Sequence, residues 1–286
     1  MKKAIFSTEI SLLRSTMQRL LRRSAHANIS KILRKTHQAD VALIMRNLNQ
    51  YEQKIIFSLC PTALHKARLL EELDESLIEK VLENESSKSI SKIFSYLDTN
   101  DQATIIGMFA EKRQSEILTA IEADDKEEVE EIMSYPDDSA GSIMTKETFT
   151  LNQNTTVKQS IKKLQSFPEN DKIFYLYVLD NKEKLVGVVS LRTLVTSNNS
   201  KKLRDVMIKD IQAATTDTDQ EEVAKKVAQY NYLALPVVNR QNRFLGIVTI
   251  DDVVDIIREE ASEDILQMAG VGKDREILLK LSLIHI

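Results

Sequence analysis

Between residues 142 and 254 one order of elements is written twice. The first copy runs "SIMTKETFTLNQNTTVKQSIKKLQ" and resumes at "IFYLYVLDNKEKLVGVVSLRTLV". The second is "DVMIKDIQAATTDTDQEEVAKKVAQYNYLALPVVNRQNRFLGIVTIDDVV". Each copy opens a helix with capping-box spacing: Thr156 with Gln159, and Thr218 with Glu221 or Asp219 with Glu222. An apolar strand follows, "YLYVLD" or "LALPVVN", then a polar turn, a strand ending in Ser190 or Thr249, and another helix. Such a chain must build two like units of helix, strand, strand and helix.

Up to about residue 134 the texture is different. Pro61 is the only proline and Gly107 the only glycine there, so helix follows helix. "VALIMRNLNQYEQKIIFSL" (41–59) lies over "ISKIFSYLDTNDQATIIGM" (90–108), matching Ile44 with Ile93, Leu48 with Leu97, Gln53 with Gln102 and Ile56 with Ile105. "RLLEELDESLIEKVLE" (68–83) has a similar cadence. Recurring short amphipathic helices predict a superhelical stack with a continuous core; an irregular helical bundle is the alternative. Pro136 and Gly141 in "MSYPDDSAGSIMT" (133–145) mark the link between the two regimes.

The chain has 286 residues, room for two or three domains, and a formal net charge of −4, which gives no reason to expect nucleic acid as the main partner. Cys60 stands alone, excluding an intrachain disulfide and suiting a reducing cytosol. No apolar run reaches the roughly 18 to 20 residues of a membrane span, and the start lacks a signal-peptide core. The ending "EILLKLSLIHI" turns apolar, as an ordinary terminal helix, an added tail or a severed helix would. His26, His37, His65 and His285 are scattered. There is no glycine-rich phosphate loop and no G-x-S-x-G, so the chain reads as a non-enzyme. The stretch 13–35 is basic and helical: either a solvated face or a contact with an anionic membrane surface or a partner subunit.

From Asp251 to Asp264 the chain carries Asp251, Asp252, Asp255, Glu259, Glu260, Glu263 and Asp264, answered only by Arg258. Asp252, Asp255 and Glu259 share one helix stripe, which Glu263 extends, while Val253, Val254, Ile256 and Ile257 can point into the core. Like charges at this spacing repel. At about 4 Å and an effective dielectric near 20 the cost is roughly 4 kcal/mol. A divalent cation reverses that sign. Magnesium prefers hard oxygens and keeps most of its waters, which suits it to bridging two acidic surfaces. Several weak sites can together exceed the roughly 5.5 kcal/mol that swings a two-state equilibrium. A solvated acidic face is the bland alternative.

The units ending "GVVSLRTLV" and "GIVTIDDVV" resemble a tandem pair of cystathionine-β-synthase-type (CBS) modules. With "YPDDSAGSIMT", "TTDTDQEEVAKKVAQYNYLALPVV" and "EASEDILQMAG" in order after an all-helical region, the chain resembles the cytosolic portion of MgtE-type magnesium transporters. The resemblance implies a multidomain α and α+β fold. An all-α superhelical domain over 1–134 would precede CBS modules over 135–200 and 201–258, and a connecting helix would begin over 259–286. It implies Mg2+ held by Asp219, Glu221, Asp252, Asp255, Glu260, Glu263 and Asp264, with a backbone carbonyl from Ala228. Asn231 stands where the family can have Asp. From the helical domain Asp101 is the candidate ligand, with Asp98 as the alternative and Thr104 where an acid would be expected. Also implied are a homodimer, the chain's own transmembrane pore domain, and a place on the cytoplasmic face of the cell membrane. There, bound Mg2+ would favour a compact, pore-closing state.

CBS pairs also bind adenosyl ligands through Ser/Thr-x-x-Asp. The second module has Thr249 and Asp252; the first has Ser190 followed by Thr193, so its acid is missing. Tyr175 and Arg192 are candidates to meet a base or a phosphate of ATP or another adenine nucleotide, though Tyr175 equally suits a strand core. An adenine-sensing CBS scaffold without a transport role is therefore the competing reading.

Overall fold

In a computed structural model, residues 2–167 and 173–268 are described, and they divide into two compact units, Met1–Met133 and Ser134–Ile286.

The first unit is a run of helices: α1 (Lys2–Arg22), α2 (His26–Leu33), α3 (Gln38–Met45), α4 (Gln50–Ser58), α5 (Ala63–Leu70), α6 (Glu75–Leu82), α7 (Ser87–Phe94), α8 (Thr99–Gly107), α9 (Glu111–Ala120) and α10 (Ala123–Met133). Most are eight to eleven residues long, too short to persist alone in water. They persist by stacking. Helix α3 packs on α5, α5 on α7 and α7 on α9, while α4 packs on α6, α6 on α8 and α8 on α10. These two rows make the superhelical stack that the sequence cadence predicts. Its floor includes Ile44, Leu48, Ile56, Ile93, Leu97 and Ile105, all buried.

The matched glutamines explain how the repeat closes its turns. Gln53 Nε2 donates to Leu48 O at 2.9 Å and to Met45 O at 3.0 Å. Gln102 Nε2 donates to Leu97 O at 2.9 Å. Gln114 Nε2 does the same for Phe109 O at 2.7 Å. In each case the fourth helical residue satisfies the carbonyl just before the N-cap, a group that burial would otherwise leave unpaired.

The second unit contains β1 (Thr150–Asn152), α11 (Val157–Gln165), β2 (Tyr175–Leu179), β3 (Leu185–Ser190) and α12 (Leu191–Thr196). After a 3-10 turn at Leu203–Asp205 come β4 (Ala214–Thr215), α13 (Gln220–Tyr230), β5 (Ala234–Val238), β6 (Phe244–Thr249) and α14 (Ile250–Met268). Two three-stranded sheets form, in the orders β1-β2-β3 and β4-β5-β6. In both, the first pair is parallel and the second antiparallel. The registers are the same: Tyr175 opposes Ser190 as Ala234 opposes Thr249, and the third strand of each sheet carries a bulge, at Val186 in β3 and at Leu245 in β6.

The modules interlock reciprocally. Leu185 N donates to Asn242 O at 3.1 Å, and Phe244 N to Glu183 O at 3.1 Å, the same bond seen from each side of a pseudo-twofold. Glu183 and Asn242 occupy equivalent turns with φ of 61° and 62°. The segment ahead of each module is exchanged. Thr145 pairs with Ile247 of the second sheet, and Ile208 pairs with Val188 of the first. Likewise Ser139 bridges Asp219, and Lys202 bridges Thr156. This exchange requires glycine at Gly246, where a Cβ would lie 2.5 Å from the Thr145 carbonyl oxygen. Tyr177 and Leu185 share a buried cluster with Ala234, Val238 and Ile247, so the seam is a core.

Candidate metal-binding surface on the second module

Helix α13 begins at Asp219, whose carboxylate accepts from Glu221 N at 2.8 Å. That bond uses one of its oxygens and places the side chain at the partially positive helix end. Asp219, and not Thr218, is the N-cap; the Thr218 hydroxyl accepts from Thr215 N at 2.9 Å. In the first module the expected box is complete, with Thr156 and Gln159 each taking the other's N–H. One turn on, Glu221 meets Lys225 at 2.8 Å and Glu222 meets Lys226 at 2.9 Å. The hydrogen bond and charge of Glu221 hold the Lys225 ammonium above its ordinary pKa. Any cation at Glu221 therefore competes with Lys225.

At the far end of α13, Asn231 adopts the left-handed conformation, φ 53° and ψ 43°. Asn tolerates this geometry better than most residues. Asn231 N and Tyr232 N both donate to Val227 O. Neither of these two groups takes the carbonyl of the exposed Ala228.

Helix α14 starts immediately after β6, and Thr249 and Asp252 form its cap. Thr249 N and Oγ1 both donate to Asp252 Oδ2, at 3.1 and 2.6 Å. Thr249 is fully buried and Asp252 half-buried. The equivalent place in the first module pairs two hydroxyls, Ser190 and Thr193, at 2.9 Å. Asp255 is exposed and pairs with Arg258 at 3.1 Å. Both side chains lie largely in water, where such a pair contributes about 0 to 1 kcal/mol. Glu260 accepts from Gln220 Nε2 at 2.9 Å, tying α14 to the start of α13. Nothing in the sequence spacing foretold this link, because its partners are forty positions apart. The Glu221–Lys225 pair was also missed, although its i, i+4 spacing could have revealed it.

The expected sharing of apolar positions on α14 is corrected. Val253 and Ile256 are buried, but Val254 and Ile257 are 39% and 47% exposed. One helix face can meet the sheet, and residues one position further round face away.

The candidate residues thus occupy three stations: carboxylates at the start of α13, the Ala228 carbonyl near its end, and carboxylates on α14. Among the described residues no three His, Cys, Asp or Glu side chains gather as one metal-binding group. Glu263 and Asp264 fall within α14, but their side chains lie outside the described residues. Asp101, half-buried in the first turn of α8, belongs to the other unit, as do Asp98, the N-cap of that helix, and the exposed Thr104. Of the nucleotide candidates, Tyr175 is half-buried beside Tyr177 at the module seam, ring centroids 6.4 Å apart, and Arg192 is exposed on α12. Burial pushes the Cys60 thiol up to about 12 despite the nearby Lys66, so it packs as a neutral side chain.

Helical rows followed by two interlocked β-α-β-β-α modules define a tandem CBS protein with a helical-repeat domain in front. The MgtE intracellular N domain matches residues 36–138, and the CBS domain matches 140–198 and 203–259. The chain belongs to the family of MgtE magnesium transporters, carrying the N domain and tandem CBS pair of their cytosolic region. It is 34% identical over 237 residues to the magnesium transporter MgtE of Bacillus subtilis (strain 168), an alignment spanning 78% of this chain and 52% of that protein. It is 40% identical over 145 residues to MgtE of Thermus thermophilus, spanning 50% and 32%. The chain thus spans about half, or less, of the length of these curated relatives. Among solved structures, the cytosolic domain of the Mg2+ channel MgtE in complex with ATP is 28% identical with a TM-score of 0.80, covering 85% of this chain and 99% of that one. The soluble part of a magnesium transporter, 23% identical with a TM-score of 0.75, covers 88% and 99% and shares the fold. No helix of the described residues is long and apolar enough to cross a membrane.

Proposed function

We propose that this chain is the regulatory, Mg2+-sensing portion of a magnesium transporter, and that it performs no catalysis. Residues 1–134 form the N domain, 135–200 and 201–258 the CBS modules, and 259–286 begin a connecting helix toward a pore domain, on the cytoplasmic face of the membrane. The observation that carries the reading is the solvent face of the second module. There Asp219, Glu221, Asp252, Asp255 and Glu260 stand on two packed helices whose cationic answers, Lys225 and Arg258, are exposed. Weak surface pairs of this kind are displaceable by a dication. The three stations suit hydrated ions bridging separate bodies, since Mg2+ needs only one or two carboxylates and retains its waters. Asp101 on the N domain, Ala228 O, and Glu263 with Asp264 would supply partner oxygens. At low Mg2+, repulsion keeps the acidic faces apart; at high Mg2+ they close, in a homodimer, and hold the pore shut.

Small-angle scattering across millimolar Mg2+ tests this. The radius of gyration falls as the ion is added, and the double substitution Asp252→Asn, Asp255→Asn weakens that dependence. A radius unchanged by Mg2+ would sink the reading.

A second ligand is favoured by the Thr249–Asp252 pair, because a structural relative was solved with ATP. An adenine nucleotide would draw on Thr249 and Asp252, with Tyr175 and Arg192 at the base and phosphate. Thr193 supplies no carboxylate for a ribose in the first module, so one site per chain is expected. Thermal shifts with ATP and with Mg2+, alone and together, separate the two ligands.

A further inference from the structure

Residues 10–39 hold Arg14, Arg19, Arg22, Arg23, Lys31, Arg34 and Lys35 and no Asp or Glu, in a chain whose formal net charge is −4. These cations lie on α1, α2 and the turns that follow each, and they precede the matched N domain. Helix α1 packs on α2 and α3 through Met17, and α2 buries Ile29 and Leu33, so this region is folded against the stack. The cations point the other way: all but the half-buried Arg14 are exposed. None of the seven makes an ion pair among the described residues. Elsewhere in the same unit Arg46, Lys54, Lys66, Arg113 and Lys126 each meet a carboxylate.

Arg19, Arg22 and Arg23 are spaced i, i+3 and i+4, as are Lys31, Arg34 and Lys35. Each set therefore crowds like charges on neighbouring positions, which is unfavourable until an anion answers them. Leu12, 68% exposed, lies on the same face of α1 as Ser15 and Arg19. We infer that α1 and α2 form a docking surface for an anionic lipid bilayer, with the cations at headgroup level and Leu12 toward the acyl boundary. No Phe, Tyr or Trp occurs between positions 7 and 50. The surface therefore lacks the stacking platforms that single-stranded nucleic acid uses. The acidic remainder of the chain is repelled by the same membrane, which orients the helical unit. This inference rests on the reading of the chain as part of a membrane transporter.

Sedimentation of the full chain with vesicles tests it, comparing phosphatidylcholine alone with phosphatidylcholine containing about 30% phosphatidylserine, at about 0.1 M salt. Binding to the anionic vesicles is expected, with little to the neutral ones, and salt reverses it. Each cation near such a surface contributes about fivefold in affinity. Substituting Arg19, Arg22 and Arg23 together by Gln therefore weakens binding about 100-fold. The set Lys31→Gln, Arg34→Gln, Lys35→Gln does the same, while Lys158→Gln, Lys162→Gln, Lys163→Gln on α11 leaves it unchanged. Equal binding to both vesicles, indifference to the first two sets, or tighter binding to a DNA oligonucleotide overturns the inference. Scattering with Mg2+ on the same variants keeps the readings separate. Compaction without vesicle binding defeats only the docking surface; vesicle binding without compaction defeats only the sensor.

Discussion

Asp252 has two uses, and its position in the fold makes them separable. Its Oδ2 accepts from the Thr249 N–H and hydroxyl, closing the first turn of α14, while its charge joins the acidic face. Asp252→Ala removes both, and the lost cap costs about 1 kcal/mol. Asp252→Asn keeps an acceptor oxygen and removes only the charge. The expected result is a lower unfolding midpoint for Ala than for Asn in urea, with the Mg2+ response of both blunted equally. If Asn retains the full Mg2+ response, the residue is a cap and nothing more. The sequence showed the Ser/Thr-x-x-Asp pattern and the missing acid at Thr193. It could not show that Asn231 sits at φ 53°, where Asn is a C-cap choice whatever a ligand requires. Nor could it show that Glu260 meets Gln220, because contacts made by tertiary packing leave no local spacing to read.

At the scale of elements the helical repeat was legible because its period is carried by buried side chains. Ile44 and Ile93, or Leu48 and Leu97, recur because the same socket is filled each time the rows advance. Gln53 and Gln102 recur for a polar reason, the buried carbonyl behind each N-cap. Gln53→Leu would match the apolar surroundings and still fail, leaving Leu48 O and Met45 O without their side-chain donor. A buried carbonyl stripped of its partner costs about 1 to 3 kcal/mol. Thermal unfolding of the variant should drop accordingly, whereas the exposed Thr104→Leu should change little. Faces of α14 were less legible. Four apolar residues in adjacent pairs do not say which two face inward, and the sheet settled it in favour of Val253 and Ile256.

Across the whole molecule, the duplicated order of elements gave two modules, but not how they share parts. Each module's preceding segment pairs with the other's sheet, through Thr145 with Ile247 and Ile208 with Val188. Exchanges of this kind are invisible to pattern reading, since a strand has the same alternation whichever sheet receives it. Their consequence is cooperative. Removing residues 201–286 strips Ile208 from Val188, Lys202 from Thr156, and Ala234, Val238 and Ile247 from the cluster around Tyr177. Burial also pushes the Tyr177 phenol upward, a sign of how fully the seam excludes water in the intact pair. Residues 134–286 should therefore unfold in one urea transition, monitored by tyrosine fluorescence and circular dichroism together. Fragments 134–200 and 201–286 should remain largely unfolded apart and regain structure only when mixed. Two coincident probes in the intact piece, with folded fragments nonetheless, would mean that the exchanged segments decorate the modules and do not hold them.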